Sequence, residues 1–503
     1  MIGGIAFPRS KSGIFDLTLD KIEHFETASV ESDFGGIAYM TSITSEISKF
    51  AADVSYDDLP YEVVKETKRL ILDSIGCTVG GIETEKGRIA IRFGEEISGD
   101  GNTTILGHKG KVSPSASAFA NGELMNALDY ESLLSPPEHL TPYVLPACIT
   151  CGEMKDVSGK ELIAATAVAH EITTRISESL VFGNRFGVKL QDKDMAISLP
   201  TPGYGLCMFG GIAGAGRLLG FKAEELANAM GIGGYSVPVP LLARFTVTAP
   251  TTMTKYLSSG LLSQMEITAV LLSQFGHTGD KEILDGEYGL FRYFGSDNWS
   301  LESVIKGLGE EWLFHQRIFY KWYPCCGAMQ NVLGLFDQII AENRLQPDEI
   351  EEVTVILNLL AELPAWKNED IRSHVDIQFN TPFIFALVAN RVKAGPLWQT
   401  DGILNDERVR NFMNKVKVLT SLDREAIGQP QVKVVALKDN EQKTYSQSGL
   451  SANMEMSEKD LIDKFRRNAS GLIEEKNVDE AIDLLLGLED VKNISSLFKV
   501  VSS

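Results

Sequence analysis

The chain has 503 residues, of which 44% are hydrophobic and 23% charged, and its formal net charge is −21. This length exceeds what a single hydrophobic core usually serves, so we expect two or more domains of an ordinary globular protein. The acidic balance argues against a nucleic-acid partner, because phosphate binding needs clustered lysine and arginine. No apolar run is long enough to cross a membrane and the first residues lack a secretory signal, so the simplest interpretation is a cytoplasmic protein without a membrane partner.

The predicted elements change character along the chain. Residues 1–41 are mixed and turn-rich, and we interpret them as an N-terminal extension. Residues 42–313 are mostly helical in pattern, with long helices rich in Ala, Gly and Ser that indicate close packing of helix backbones. Residues 314–448 combine alternating β-branched runs with helical runs and predict an α+β domain. Residues 449–503 are helical again, so we expect them to return to the helical domain.

Two of the six cysteines form a CxxC, Cys148 and Cys151, but the surrounding pattern is helical and no second ligand pair completes a zinc site. The stretch "KWYPCCGAMQ" places Cys325 and Cys326 side by side after a lysine. A metal site, a thiol nucleophile, a redox pair and a packed turn are all compatible with this spacing. Since adjacent cysteines are poorly placed to share one ion, the sequence does not favour a metal centre.

Acid–base chemistry is indicated most clearly in "ALDYESLLSPPEHLTPYVLP". Asp129 and Glu131 follow the end of a predicted helix, and His139 lies in the loop beyond them. An acid beside a loop histidine can form an acid–base pair, although a loop histidine is often simply exposed. Lys255, which we place at the start of an apolar helix, and Lys321, in an aromatic stretch, can each bind a carboxylate or lie at the surface.

These segments, taken together, resemble the MmgE/PrpD family. The matching stretches span residues 42–490 and are "LILDSIGCTVGG", "AFANGELMNALDYES", "AHEITTRI", "GAGRLLGF", "TKYLSSG", "KWYPCCG", "VKVVALKDNEQ" and "SEKDLIDKF". The resemblance implies a mainly α fold with an α+β second domain. In such a fold a large all-helical domain is built from both chain ends, and the smaller α+β domain acts as a lid. It further implies a homodimer, an active site between the domains, and neither a metal nor an organic cofactor. The substrate it implies is a small di- or tricarboxylate.

Four residues match the family's catalytic positions. By this carry-over His139 donates or accepts a proton, and Asp129 orients it or acts as a base. Lys255 and Lys321 hold substrate carboxylates and stabilise an enolate-like charge. We also assign Tyr323 and Cys326 to substrate binding. The alternative for Cys326, as for Cys325, is a small buried residue in a tight turn.

The sequence departs from the family pattern at four further positions that we assign to substrate binding. Thr201, Ser258 and Gln330 stand where relatives carry histidine, and Leu133 stands where they carry a polar residue. A pocket with these residues is less cationic and more apolar, and neutral hydroxyl groups cannot act as general bases near pH 7.

Three functions follow as hypotheses. The first is a cofactor-independent lyase, a dehydratase or decarboxylase, that acts on a small di- or tricarboxylic acid by proton transfer next to a carboxylate. The second is a proton-shifting isomerase or epimerase on the same scaffold. The third is a divergent member that acts on a larger, less charged metabolite, or a catalytically silent binding protein.

Overall fold

The fold is seen in a computed structural model. It describes residues 42–134, 139–179, 185–190, 193–198, 203–238, 244–245, 247–285, 288–293, 301–357, 363–420, 431–451 and 455–502. The predicted N-terminal extension, residues 1–41, and Thr201 lie outside this described part. Among the described residues, no helix is both long enough and apolar enough to cross a membrane.

Helices make up most of the described chain. In order they are α1 (Ile43–Asp53), α2 (Tyr61–Gly80), α3 (Glu85–Ser98), α4 (Pro114–Met125), α5 (Thr141–Lys155), α6 (Gly159–Ser179), α7 (Gly203–Leu218), α8 (Ala223–Gly234), α9 (Ser259–Gln274), α10 (Leu290–Tyr293), α11 (Leu301–Ile305), α12 (Gln330–Asn343), α13 (Pro364–Lys367), α14 (His374–Ile377), α15 (Thr381–Ala389), α16 (Asp401–Leu404), α17 (Glu407–Met413), α18 (Glu458–Ala469), α19 (Glu475–Leu486) and α20 (Ser495–Val501).

The strands are short outside one sheet. They are β1 (Thr103–Thr104), β2 (Lys111–Val112), β3 (Leu133–Leu134), β4 (Arg185–Leu190), β5 (Lys193–Ser198), β6 (Ile318–Phe319), β7 (Ile350–Leu357), β8 (Val416–Thr420), β9 (Gln431–Lys438) and β10 (Glu441–Ser448). The four-stranded sheet has the order β10-β9-β7-β8, with β7 and β8 parallel and the other pairs antiparallel. Helices α12 and α15 pack against this sheet, so the predicted α+β texture is confirmed.

Local sequence signals set several helix boundaries. Helix α2 ends at Gly80 and Gly81 is its C-cap, as the double glycine predicts. Helix α18 begins after Ser457, whose hydroxyl accepts from the N–H of Asp460 while the Asp460 carboxylate accepts from the N–H of Ser457. This capping box satisfies backbone N–H groups that the helix itself cannot.

The small residues of the helical region bring helix backbones into contact. Helices α5, α6 and α7 pack on one another, and a Cβ at Gly210 of α7 would lie 2.2 Å from the carbonyl oxygen of Ala169 in α6. The C-terminal helix α18 packs against α2, where Gly76 lies against Phe465. The mainly α class with a smaller α+β region is therefore confirmed, while the boundaries at 41, 313 and 448 stay a prediction.

One two-stranded ladder positions the candidate site. Strand β3 pairs antiparallel with β6, so that Leu133 lies opposite Phe319 and Leu134 opposite Ile318. The chain enters β3 directly from Asp129 and Glu131 and leaves β6 two residues before Lys321. Pairing of these strands therefore brings Lys321 beside the acidic turn.

Candidate active site

Five ionisable side chains from four parts of the chain converge in the interior. Each of these residues is at most 5% exposed, and the Asp129 carboxylate lies within 3.4 Å of both lysine ammonium groups. Asp129 and Glu131 follow α4, Lys321 follows β6, and the other two precede helices α5 and α9. They are Asp129, Glu131, His139, Lys255 and Lys321, so the structure brings together all four catalytic residues predicted from the sequence.

His139 is hydrogen-bonded to Glu131. Its Nδ1 lies 2.6 Å from Glu131 Oε1, whereas its Nε2 is 3.7 Å from Asp129 Oδ1, beyond hydrogen-bonding distance. Since a carboxylate can only accept, Nδ1 carries the proton and Nε2 faces Asp129. The carboxylate that is hydrogen-bonded to the imidazole is thus Glu131, whereas the carry-over gives Asp129 as the orienter or as a base. The 3.7 Å distance does not support the first of these roles for Asp129, and the second stays a prediction.

Glu131 remains ionised despite its burial. Desolvation by itself raises the pKa of a buried carboxyl, but the charges of Lys321 and His139 and the hydrogen bond from His139 together hold it well below its usual range. Asn126 Nδ2 donates a second hydrogen bond to Glu131 Oε1 at 2.6 Å. The carboxylate is therefore fixed in both position and charge.

Asp129 bridges the two lysines. Its Oδ1 lies 3.3 Å from Lys255 Nζ and its Oδ2 lies 3.4 Å from Lys321 Nζ. Burial raises the pKa of Asp129, and Lys255 followed by Lys321 overcome this effect and lower it. The residue has φ of +54°, a left-handed conformation that Asp tolerates better than most residues.

The two lysines differ in their electrostatic setting. Burial lowers the pKa of Lys255 to about 8, although Asp129 acts in the opposite direction. Burial also opposes the charge of Lys321, but Asp129 and Glu131 together raise its pKa above the ordinary value. Lys321 is therefore a permanent cation, whereas Lys255 can lose its proton at mildly alkaline pH.

Lys255 does not lie at a helix N-terminus as its sequence position suggests. It has φ of +35° and precedes α9 by four residues, and the N-cap of that helix is Ser258. Its Nζ donates to Asn126 O at 3.1 Å and to Gln378 Oε1 at 2.8 Å, in addition to Asp129. Gln378, from the "IQFNTPF" stretch before α15, is a site residue that sequence reasoning missed.

Two tyrosine rings lie beside the imidazole. The ring centroid of Tyr256 lies 4.4 Å from that of His139, and Tyr204 lies 6.2 Å away. The Tyr256 hydroxyl is buried and makes no hydrogen bond within the described chain, and burial raises its pKa well above the ordinary value. The Tyr256 hydroxyl therefore stays neutral and can donate a hydrogen bond to a ligand beside His139, a role no sequence motif indicated.

The residues assigned to substrate binding divide into two groups. Leu133 lies in β3, the ring of Tyr323 stacks on Trp398 at 5.8 Å, and Cys326 donates its N–H to Gln378 O at 2.9 Å. Cys326 is close enough to affect the pKa values of Tyr256 and Lys321. The backbone of Cys326 is thus linked through Gln378 to Lys255 of the charged cluster, and its role as a pocket residue stays a prediction.

Gln330 and Ser258 are engaged elsewhere. Gln330 Oε1 accepts from the N–H groups of Trp322 and Tyr323, and its Nε2 donates to carbonyl oxygens of Tyr323 and Cys325. Its amide thereby braces the turn of the "KWYPCCG" stretch. Ser258 caps α9 and donates to Glu123. None of these hydrogen bonds reaches the charged cluster, which does not support a substrate contact for either residue.

Metal binding is geometrically conceivable at one place only within the described residues. Ligand atoms of Asp129, Glu131 and His139 lie within 4.8 Å of one another. A divalent cation there would have to displace the two ammonium groups that contact Asp129, so the charge balance disfavours it. Cys148 and Cys151 are buried thiols on α5, and the cysteines at 325 and 326 are likewise buried and form no disulfide with each other.

Comparisons with known proteins agree with the resemblance. A profile described as the MmgE/PrpD N-terminal domain matches residues 45–302, and one described as the MmgE/PrpD C-terminal domain matches residues 323–489. The chain is 26% identical to a cis-aconitate decarboxylase of Aspergillus terreus, over 92% of this chain and 96% of that protein. It is 24% identical to the cis-aconitate decarboxylase of Homo sapiens, over 91% and 94% of the two chains. It is also 21% identical to the cis-aconitate decarboxylase-like protein oryM of Aspergillus oryzae, over 92% and 97%.

Proposed function

The chain belongs to the MmgE/PrpD family, and on this premise we propose that it is a cofactor-independent lyase of a small di- or tricarboxylic acid. The observation that carries the proposal is the buried His139–Glu131 pair beside an Asp129 carboxylate that contacts two lysines. The cis-aconitate decarboxylases among its relatives favour loss of CO2 over loss of water. Cis-aconitate is accordingly the first substrate to test.

The two ammonium groups supply recognition of the substrate. Lys255 and Lys321 together balance the charges of Asp129 and Glu131, so an imidazolium at His139 leaves the cluster with a net positive charge. A carboxylate of the substrate can take its place beside Lys255 and Lys321 through charge-assisted hydrogen bonds. Because the side chains of the site are buried, these cations stabilise negative charge that develops on the substrate more strongly than water would.

The reaction needs one proton from the protein. The C–C bond to the departing carboxylate breaks, CO2 leaves, and the electron pair moves into the carbon skeleton toward a retained carboxylate. His139 then delivers a proton from Nε2 to the carbon that has gained electron density, while Glu131 keeps the ring in place through Nδ1. Tyr256 keeps its proton and donates a hydrogen bond from its hydroxyl to an oxygen of the substrate.

A second candidate, a proton-shifting isomerase or epimerase, requires only part of this machinery. Ser258 and Gln330 use their polar atoms for structural hydrogen bonds, which supports a substrate with fewer carboxylates than the relatives bind. His139 on one side of the substrate and Asp129 on the other would then remove and return a proton without loss of CO2.

The test is a panel of small di- and tricarboxylic acids, cis-aconitate included, incubated with purified protein in D2O and followed by ¹H NMR. Decarboxylation gives a new product with deuterium at one carbon, whereas an isomerase gives deuterium uptake without loss of CO2. We expect His139→Ala to abolish both signals and His108→Ala, which changes a partly exposed loop histidine, to retain them. Equal deuterium uptake by wild type and His139→Ala would refute the role of His139. Absence of turnover and exchange with every acid would favour the silent binding protein.

A further inference from the structure

Five consecutive backbone carbonyls around the catalytic aspartate each accept a hydrogen bond from a different buried side chain. They belong to the segment that follows α4, which we name the catalytic turn (residues 126–130). The donors and distances are Lys255 Nζ to Asn126 O at 3.1 Å, Gln378 Nε2 to Ala127 O at 2.8 Å, Gln399 Nε2 to Leu128 O at 2.7 Å, Lys321 Nζ to Asp129 O at 2.8 Å and Lys464 Nζ to Tyr130 O at 2.7 Å.

The position of the turn explains why so many donors are needed. A helix leaves its last carbonyls without intrahelical partners, and buried carbonyls without partners are costly. The residues of the turn are at most 2% exposed, so water cannot serve them. Three of the five donors are lysines, which also suit the negative end of the α4 dipole.

The two neutral donors come from the α+β region and are linked to each other. Gln378 Nε2 donates to Gln399 Oε1 at 2.8 Å as well as to Ala127 O, and Gln378 Oε1 accepts from Lys255 Nζ at 2.8 Å. Every polar atom of the Gln378 amide is therefore engaged. The network runs from Lys255 through Gln378 to Gln399 and ends on the turn at Leu128.

We propose that Gln378 and Gln399 are positioning residues that fix the Lys255 ammonium group relative to the catalytic turn. The α+β region thereby completes a site built mainly by the helical region. This inference rests on the proposed function of Lys255 and Asp129. Neither glutamine touches the substrate in this scheme. They act on the reaction through the ammonium group of Lys255 and the carbonyls of the turn.

Substrate binding gives Gln378 a specific task. All three N–H groups of the Lys255 ammonium have partners, and the contact with Asp129 is the longest, at 3.3 Å against 2.8 Å for Gln378. A substrate carboxylate therefore replaces Asp129 at Lys255. Meanwhile Gln378 and Asn126 O retain the ammonium group, which keeps the new ion pair in a fixed position.

A substrate-independent measurement tests the link to Lys255. In protein labelled with ¹⁵N at lysine Nζ, the ammonium resonance of Lys255 is identified by its loss in Lys255→Met and titrated with pH. Gln378→Glu places a carboxylate beside the ammonium and should raise the titration midpoint by about one pH unit. Gln378→Met removes an acceptor from the charged form and should lower it. Gln442→Met, which changes an exposed glutamine of β10, should leave it unchanged.

Kinetics with the substrate found in the acid panel test the consequence. The alkaline limb of the kcat/KM profile should move to higher pH in Gln378→Glu and to lower pH in Gln378→Met. If Gln378 had a purely structural role, both variants would have lower activity, but their alkaline limbs would not shift in opposite directions. Gln399→Met should reduce kcat by about tenfold with little change in KM, because it misplaces the turn and leaves recognition intact.

The outcomes separate this inference from the proposed function. Opposite shifts of the Lys255 titration without turnover of any acid would support the positioning role and refute the lyase. Turnover with a Lys255 titration that neither Gln378 variant moves would refute the positioning role. If Gln378→Glu does not fold, Gln378→Met and Gln399→Met decide the matter, and wild-type behaviour in both would overturn the proposal.

Discussion

The two buried carboxylates of the site have different partners, and we propose different roles for them. One orients the imidazole, and the other contacts the lysines that would bind the substrate. Glu131 and Asp129 are two residues apart, yet Glu131 faces the imidazole and Asp129 faces the lysines. Asp129 has a left-handed backbone, with φ of +54°. Its carboxylate lies 3.7 Å from His139 Nε2, while that of Glu131 lies 2.6 Å from Nδ1, so the two carboxylates flank opposite nitrogens of the ring.

Glu131→Gln is the most direct test of orientation. The amide keeps the size of the side chain but removes the charge that fixes the Nδ1 proton. We expect kcat to fall by about 100-fold or more, because a misoriented general acid loses most of its contribution. Steady-state kinetics with the identified substrate measure this loss. Glu96→Gln, on the exposed face of α3, is the control, and equal kcat values for both variants would contradict the assignment.

The pH dependence of activity should reflect Lys255. Its pKa is lowered to about 8, so the ammonium form prevails below that pH and is lost as the pH rises through it. If the ammonium binds the substrate carboxylate, kcat/KM is constant on the acid side of the transition and falls above it. A pH–rate profile between pH 6 and 10 measures this. A profile that stays flat through pH 9 would count against Lys255 as a substrate ligand.

Glu266 provides a test of stability away from the site. It is fully buried in α9, neither carboxylate oxygen has a hydrogen-bond partner in the described chain, and burial raises its pKa well above the ordinary value. A raised carboxyl pKa gives stability that is present below the unfolded-state pKa and decreases as the pH rises above it. Glu266→Gln removes this dependence, so its Tm relative to wild type should increase from pH 5 to pH 8.

Differential scanning fluorimetry across this pH range measures the effect. Glu96→Gln again serves as the control and should show a Tm difference that does not change with pH. A Tm of Glu266→Gln that runs parallel to that of wild type would show that Glu266 has a partner in solution.

At the level of elements, the site depends on how closely helices and short strands approach. The β3–β6 ladder brings Lys321 to Asp129, and the contact between α4 and α9 fixes the segment that carries Lys255. The small residues noted in the sequence serve this packing, since larger side chains would hold the helix axes apart.

Gly210→Ala tests the contact between α6 and α7. The added methyl group would lie 2.2 Å from Ala169 O, a backbone atom that cannot move independently. Overpacking of this kind costs about 2 kcal/mol in the free energy of unfolding, more than the helix propensity of alanine returns. Gly402→Ala is the matched control, because its methyl group would lie 3.9 Å from the nearest atom, Thr400 Oγ1. Chemical denaturation compares the two, and equal stabilities would contradict the close contact.

At the level of the whole molecule, the α+β region and the helical region share one network of buried hydrogen bonds. Gln378 and Gln399 reach the catalytic turn from the first, and Lys464 of α18 reaches it from the C-terminal end of the chain. Lys464 is itself paired with Asp73 of α2 at 2.7 Å. Segments from both chain ends and the middle therefore meet at five neighbouring carbonyls.

The homodimer implied by the resemblance stays a prediction. A chain of 55.1 kDa should then elute as a species of twice that mass in size-exclusion chromatography with light scattering. We expect the dimer to persist on dilution to the concentrations used in assays. A molar mass equal to that of one chain under these conditions would refute it.

The sequence by itself determined those features that depend on near neighbours. Periodicity predicted helices, and alternating β-branched runs predicted the α+β character of residues 314–448. The Ser457 cap and the Gly80–Gly81 stop marked two helix boundaries, because these signals act over a few residues. Family motifs also picked out Asp129, His139, Lys255 and Lys321 as a set.

Only the tertiary structure decided what these residues face. The hydrogen bonds that define the site join residues far apart in the chain, 192 positions for Lys321 and Asp129 and 251 for Gln378 and Ala127. No local pattern encodes such a pairing, since it depends on how helices and strands pack. Even within one local stretch, packing decided which atoms face each other: Glu131 is the hydrogen-bond partner of His139, and Gln330 braces the "KWYPCCG" turn. Gln378, which carries no motif, lies in contact with Lys255.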